Sequence, residues 1–275
     1  MSERLLPAWS LPAEAANTID ATAQWQDRVS RDWALGGSTG EGVDVCILDS
    51  GVDGDHPLVG GLESAVAVEP PDEDGGEPRV VPDEIGDVVG HGTACAGIVR
   101  ALAPACRLHS VRVLGAGTTG SGDLILTGLR HAIERGHQVV NLSLSTTKRR
   151  FAEMLHDLAD AAYFKRTVLV ASAHNMPVES YPWRFASVIS VGSHEGDDSL
   201  AWYANPDPPV EFFARGVDLD VAWTGGGTLR CTGNSFAAPH IAGITALVLG
   251  KHPELTPFQL KSVLYLTATN AGGTT

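Results

Sequence analysis

Three short stretches of the sequence carry a carboxylate, an imidazole and a hydroxyl, the groups of an acyl-transfer site. Asp49 follows the apolar run 43–48, His91 precedes Gly-Thr, and Ser235 lies in 233–240, whose sequence is GNSFAAPH. A serine hydroxyl is barely ionised at neutral pH, so an imidazole must take its proton during attack on an amide. A carboxylate holds the imidazole tautomer and stabilises the imidazolium. The set predicts Ser235 as nucleophile, His91 as general base and Asp49 as its orienting acid.

The position of Ser235 strengthens this hypothesis. Residues 241–249 are apolar or small at nearly every position, and a helix that is apolar all round is a buried helix. Ser235 stands at its start, where unpaired N–H groups and the positive end of the helix dipole favour an oxyanion. The alternative interpretation is a simple helix cap, a common role for serine. The stretches around Asp49 and His91 favour the nucleophile.

In the chain order Asp, His, Ser, the three stretches resemble the subtilisin-like serine proteases. The matching blocks are DSG at 49–51, HGT at 91–93 and the block at 233–240, and the resemblance runs from about residue 42 to about residue 268. It implies a serine endopeptidase acting on peptides or proteins. An α/β-hydrolase esterase is excluded, because that fold needs Gly-x-Ser-x-Gly and the order Ser, Asp, His.

The resemblance assigns an oxyanion donor. The sequence SAHN at 172–175 resembles the family's Ala-Ala-Gly-Asn turn, so Asn175 is the candidate side-chain donor, with the backbone N–H of Ser235 as the second. His174 replaces the family's glycine, and Asn234 replaces the threonine that usually precedes the serine. The alternative for Asn175 is an ordinary turn asparagine.

Substrate is expected to bind as an added strand, as extended peptides do at exposed edges. The resemblance assigns one backbone edge of the substrate site to Gly120, Ser121 and Gly122. It assigns the opposite edge to Ser143, Leu144 and Ser145. The first specificity pocket is assigned to Ser172, Ala173 and His174. The link from Asn175 to Tyr181 is shorter than in typical relatives, so the pocket wall is altered. Glu179 lies in that altered part.

Strands alternate with helices along the chain. Apolar strands are predicted at 43–48, 108–114, 139–144, 167–171 and 188–191, and helices at 91–102, at 123–135 with Asp123 as cap, at 151–164, and after the Thr-Pro pair at 256–257. This alternation predicts an α/β fold with a doubly wound, mainly parallel sheet and helices on both faces. Catalytic groups of such folds lie at the carboxyl ends of the strands, where Asp49 and Asn175 are expected.

The 275 residues are expected to form a single subtilisin-like peptidase domain. Residues 1–40 are interpreted as an N-terminal extension, with a possible helix over 19–35. Residues 63–90 are interpreted as an exposed acidic loop insertion, rich in Pro and Gly, between Asp49 and His91. The insertion is either a solvated surface feature or a place for a metal ion or a partner.

Charge and composition narrow the function classes. The formal net charge is −14, which argues against nucleic acid or anionic membranes as partners. No apolar run has the length of a membrane span, and the N-terminus shows no secretory signal. The four cysteines are therefore expected to be reduced in a cytoplasmic protein, and none has zinc-ligand spacing. No cofactor is expected.

Three further expectations concern calcium, substrate charge and biological role. Many relatives hold calcium in a loop after the catalytic histidine, but residues 97–108 contain no Asp, Glu or Asn and two arginines, so no site is expected there. The acidic charge predicts a preference for basic peptides at low salt, with Glu179 the first candidate for a specific contact. Broad protein degradation and dedicated leader processing remain open, as does a catalytically inactive peptide-binding protein.

Overall fold

A computed structural model describes residues 10, 29–71, 76–115 and 121–271. Its strands are β1 (Asp44–Asp49), β2 (Ser64–Glu69), β3 (Arg79–Pro82), β4 (Arg107–Arg112), β5 (Val139–Leu142), β6 (Val168–Ser172), β7 (Ile189–His194), β8 (Trp202–Ala204), β9 (Phe212–Arg215), β10 (Leu219–Trp223) and β11 (Gly227–Cys231). Its α-helices are α1 (Arg31–Leu35), α2 (His91–Leu102), α3 (Gly122–Glu134), α4 (Ala152–Phe164), α5 (Asn234–Lys251) and α6 (Pro257–Leu266). Among these helices none is long and apolar enough to cross a membrane.

Nine of these strands form one sheet in the order β3-β2-β4-β1-β5-β6-β7-β9-β8. The run from β2 to β9 is parallel, and β3 and β8 pair antiparallel at the two edges. Strands β10 and β11 form a separate antiparallel hairpin. The predicted doubly wound, mainly parallel α/β fold is confirmed.

The central strand β1 shows why the sheet is covered on both faces. Val45 and Ile47 pack into a core shared with α5 and α2, whereas Cys46 and Leu48 pack into a second core with α3 and α4. Successive side chains of a strand point to opposite faces, so a continuously apolar strand needs a helix layer on each side. Asp49 is the last residue of β1, so it lies where the carboxyl ends of the parallel strands meet.

Helix α5 is the central helix of the first core. Fourteen of its 18 residues are buried, from Phe236 to Leu249. It contains Pro239, which has no N–H to donate to the carbonyl four residues earlier. That carbonyl belongs to Ser235, so the helix begins with an acceptor that other elements must satisfy.

The interpretation of 63–90 as a loop is wrong at two places within it. Residues 64–69 and 79–82 form β2 and β3, which extend the sheet beyond β4. The side chain of Asp83 is buried against Arg112, with an Nη2–Oδ1 distance of 3.0 Å. These strands are short and half exposed, so their apolar pattern is weak. Residues 72–75 of the acidic tip lie outside the described residues.

One predicted helix start also differs from the structure, and another lies outside the described residues. Helix α3 begins at Gly122 and is capped by Ser121, whose hydroxyl accepts the N–H of Leu124; Asp123 lies inside the first turn. In the N-terminal extension the described helix is α1, capped by Ser30, and the predicted part at 19–28 lies outside the described residues. The start of α6 is confirmed, because Thr256 forms a capping box ahead of Pro257.

Candidate active site

Asp49 and His91 form a hydrogen-bonded pair at the carboxyl end of β1. The Nδ1 of His91 lies 2.8 Å and 2.9 Å from the two carboxylate oxygens of Asp49. Asp49 is fully buried, and its Oδ1 also accepts the N–H of Ser50 at 2.7 Å. A proton on Nδ1 leaves Nε2 of His91 as the acceptor, which is the tautomer that a general base needs.

The pKa of His91 is set by opposing effects. Burial lowers it, but the charge and hydrogen bond of Asp49, together with the charge of Asp87, raise it by more. The net result is a pKa above the usual 6.5. The ring of Phe236 lies 5.4 Å from the imidazole, between centroids, and helps to exclude water from it.

Asp87, which no sequence motif singled out, anchors the helix that carries His91. Its Oδ1 accepts from Ser50 Oγ and from the N–H groups of Val89 and Gly90, and its Oδ2 accepts from the N–H and hydroxyl of Thr93. A carboxylate at a helix N-terminus satisfies orphan donors and complements the dipole. The signal available in the sequence was an acid four residues before His91.

Ser235 is the second residue of α5, and the atoms around its carbonyl hold it in place. Because Pro239 cannot donate to this carbonyl, Ser143 Oγ donates to it at 2.7 Å and Cys95 Sγ at 3.6 Å. Asn141 in turn donates to Ser143 Oγ at 3.0 Å. The hydroxyl of Ser143, predicted at a substrate edge, is therefore engaged with the protein.

Asn175 lies next to Ser235 at the start of α5. Its Oδ1 accepts the backbone N–H of Asn234 at 2.9 Å, which leaves its Nδ2 as a donor. A Cβ placed on Gly233 would lie 3.3 Å from Ser235 Oγ and 3.5 Å from Asn175 Nδ2, so the glycine leaves the space between the two groups open. His174, which replaces a glycine, accommodates the turn by accepting the N–H of Met176 at 3.0 Å.

A cavity of about 320 Å³ joins these groups. Its lining includes most of the predicted site residues, namely His91, Gly122, Ser143, Leu144, Ser145, Ser172, Ala173, His174, Asn175 and Ser235. Helix α3 begins at Gly122, and Ser121 is its N-cap with an extended backbone; Gly120 lies outside the described residues, so the substrate edge assigned to 120–122 stays a prediction. A Cβ on Gly122 would lie 2.3 Å from the ring of Phe151, so a side chain at this position would clash with that ring.

Glu179 does not offer a free charge to substrate. It receives hydrogen bonds from Arg149 at 3.0 Å and from the Tyr181 hydroxyl at 2.8 Å, and Arg184 lies 3.6 Å away. It does not line the cavity at Ser235. The charged side chain that lines this cavity, besides the histidines and within the described residues, is Lys148. Glu179 is therefore a poor candidate for a contact with basic substrates.

The segment after His91 does not fit a calcium ion. The guanidinium of Arg100 donates to the carbonyls of Val59, Pro104 and Cys106 at 2.8 Å each, so a side-chain cation already occupies this group of carbonyls. Among the described residues, the one cluster of three metal-binding side chains is Asp49, His91 and Cys95. In that cluster Asp49 and His91 bind each other, and burial raises the pKa of the Cys95 thiol well above its usual value.

Comparisons with known proteins agree with this geometry. Residues 40–275 match the model of the subtilase family, Peptidase_S8. Subtilisin Savinase of Lederbergia lenta is 33% identical over 251 residues, covering 86% of this chain and 87% of Savinase. The M-protease of Shouchella clausii (strain KSM-K16) is also 33% identical over 251 residues, but the chain spans only 62% of its length.

Subtilisin E of Bacillus subtilis (strain 168) is 31% identical over 254 residues, which cover 86% of this chain and 63% of subtilisin E. Among solved structures, a cold adapted subtilisin-like serine proteinase superposes with a TM-score of 0.68 at 27% identity, covering 87% of this chain and 88% of that one. The chain therefore belongs to the subtilase family and carries the family's subtilisin-like serine endopeptidase domain.

Proposed function

We propose that the protein cleaves internal peptide bonds of peptide or protein substrates through an acyl-enzyme on Ser235. The observation that carries the proposal is the bond of His91 Nδ1 to both oxygens of buried Asp49, with His91 and Ser235 lining one cavity. This arrangement supports an active enzyme over an inactive peptide-binding scaffold, because a binding protein has no need of an oriented base.

Each step uses groups of this chain. Ser235 Oγ bonds to the scissile carbonyl carbon while its proton passes to His91 Nε2. The oxyanion receives hydrogen bonds from Asn175 Nδ2 and the N–H of Ser235. As the intermediate collapses, the C–N bond breaks and His91 gives its proton to the leaving amine. A water molecule then attacks the ester carbon while His91 takes its proton, and as the C–Oγ bond breaks this proton passes to Ser235 Oγ, which releases the acid and the free enzyme.

The buried thiols support an intracellular location for this activity. All four cysteines, Cys46, Cys95, Cys106 and Cys231, are free, and the first three are buried. Burial raises the pKa of Cys46 beyond the range in which it reacts at neutral pH. Unpaired cysteines are typical of reducing compartments. Degradation and leader processing both fit this location, and cleavage-site profiling on a peptide library separates a broad enzyme from a dedicated one.

A fluorophosphonate probe tests the reaction. We expect one label, carried on Ser235, with loss of fluoride and of peptidase activity. Ser235→Ala should lose labelling and several orders of magnitude of kcat, because triad members act as a unit. The control is Ser262→Ala, on the distant helix α6, which should label and cleave normally. Cleavage by Ser235→Ala at near-normal rates would remove the proposed function.

A further inference from the structure

Asn234 lies between the two proposed oxyanion donors and makes an unusual number of hydrogen bonds. Its Oδ1 accepts from both the N–H and the hydroxyl of Ser193, each at 2.9 Å. Its Nδ2 donates to the carbonyls of Ala173 and His174 at 3.2 Å and 3.4 Å. Its backbone N–H donates to Asn175 Oδ1 at 2.9 Å. Every polar atom of the side chain is therefore used within the protein.

These bonds connect three segments that meet only in the folded protein. Ser193 belongs to β7, Ala173 and His174 follow β6, and Asn234 begins α5. Besides these bonds, the turn is held by the N–H of Ala173, which donates to the carbonyl of Val191 at 2.8 Å, and by the N–H of Met176, which donates to the His174 ring; residues 174–179 are half-buried or exposed. The amide carries its acceptor and its donors on separate atoms, so it can bind Ser193 of β7 and the carbonyls of Ala173 and His174 at the same time, whereas an aspartate has no donor for those carbonyls.

The consequence for Asn175 is a fixed amide orientation. The backbone N–H of Asn234 donates to Oδ1 of Asn175, so Nδ2 of Asn175 is left to face Ser235. Both this Nδ2 and Ser235 Oγ would be in contact with a Cβ placed on Gly233, so both groups lie close to that glycine. An oxyanion donor contributes most when it is oriented before charge develops, because no reorganisation is then needed during the reaction. A small displacement of such a donor weakens its bond to the oxyanion.

We propose that Asn234 is a positioning residue of the oxyanion hole, whose side-chain amide clamps the 173–175 turn against the start of α5 and so orients Asn175. This inference rests on the proposed function. Asn234 acts through Asn175 and does not contact substrate. Its effect should therefore appear in kcat and should disappear when Asn175 has already lost its amide.

The test is a double-mutant cycle on a neutral peptide substrate, with rates expressed per folded protein. Asn175→Ala should lower kcat by roughly 10²–10³ with little change in KM, a magnitude taken from the subtilisin asparagine itself. Asn234→Ala should lower kcat by about 10-fold or more at nearly unchanged KM. The double variant should be no slower than Asn175→Ala, because the two residues share one interaction.

Two further variants separate positioning from folding. Asn234→Asp keeps the shape and the acceptor for Ser193 but places a carboxylate oxygen against the carbonyls of Ala173 and His174, so it should lose kcat as Asn234→Ala does. Asn270 bonds Ala204 through both atoms of its amide, far from Ser235, and is the matched control. Asn270→Ala should lower the melting temperature and leave kcat unchanged.

Additive losses in the double variant, a change confined to KM, or unchanged kcat in Asn234→Ala would overturn the inference. A silent Asn175→Ala would also overturn it, since no donor would remain to be positioned. If Asn234→Ala does not fold, the cycle is run with Asn234→Asp, and the same outcomes decide. The failure of the proposed function is recognised separately, because only then does Ser235→Ala retain activity.

Discussion

At the scale of single residues, the site is built on buried groups whose charges offset one another. Asp49 has no solvent exposure, and His91 is its hydrogen-bond partner. Asp87 adds a second negative charge near the imidazole while it binds the N–H groups that begin α2. A general base between two carboxylates holds its proton more tightly than a free histidine, so the pH dependence of the reaction should report this arrangement.

We predict that kcat/KM on a neutral peptide falls on the acid side with an apparent pKa above 6.5, because only neutral His91 accepts the serine proton. Activity is lost as the pH falls through the raised pKa of His91, and full activity is present above that pKa. Asp87→Asn should move this limb to lower pH. Asp55→Asn, an exposed acid outside the set that acts on His91, should leave it in place. A limb below 6.5 in the native protein would contradict the assignment.

At the scale of elements, backbone groups left unpaired by one element are satisfied by side chains of another. Pro239 leaves the Ser235 carbonyl without a helical donor, and Ser143 from the β5 end supplies one. The end of α2 follows the same principle. The guanidinium of Arg100 donates hydrogen bonds to backbone carbonyls in the segments before β2 and before β4. A guanidinium offers five donors in a fixed plane, so it can satisfy several carbonyls at once.

We therefore predict that EDTA leaves activity and melting temperature nearly unchanged, because the segment after His91 offers no acidic side chain to calcium and Arg100 already binds the carbonyls of Val59, Pro104 and Cys106. Arg100→Met should lower stability by roughly 2 kcal/mol, since the charged hydrogen bonds to the carbonyls of Val59, Pro104 and Cys106 are lost. For a chain of this size that corresponds to a fall of about 4–8 °C in melting temperature. Arg130→Met, on an exposed position of α3, is the control. A large drop on chelation that calcium restores would contradict this and direct attention to 69–87.

At the scale of the whole molecule, the charge of the protein and the charge of its cleft have opposite signs. The formal net charge is −14, yet the lining of the cavity within the described residues includes Lys148 and no carboxylate. Long-range attraction is screened over about 8–10 Å at ordinary ionic strength, whereas an ion pair with the exposed Lys148 at contact distance lies well within that length and is screened less. Varying the salt concentration therefore distinguishes the long-range field of the acidic surface from a direct contact with Lys148.

We predict that a Lys-containing peptide loses its kcat/KM advantage over an uncharged analogue as salt rises from low to physiological concentration, because the field of the acidic surface is screened. At high salt a Glu-containing peptide should be the better substrate, through Lys148. Lys148→Gln should abolish that residual preference, and Lys165→Gln, exposed at the end of α4, should not. A basic preference that survives high salt would refute this distribution of charge.

The sequence by itself determined the doubly wound sheet, most strand and helix positions, and the three residues Asp49, His91 and Ser235. Local patterns carry this information: a continuously apolar strand implies cover on both faces, and each of the three residues stands at the end or start of a strongly patterned element. Asn175 came from the resemblance of the 172–175 turn to the family's, and its role as oxyanion donor stays a prediction.

Only the tertiary structure decided what holds these residues in place. The clamp of Asn234 joins segments 41 and 61 residues away, and Arg100 reaches back 41 residues. The weakly patterned segment 63–90 contains strands because β4 offers them an edge, and Glu179 is neutralised by partners that folding brings to it. Such contacts depend on distance in space, which a one-dimensional pattern does not encode.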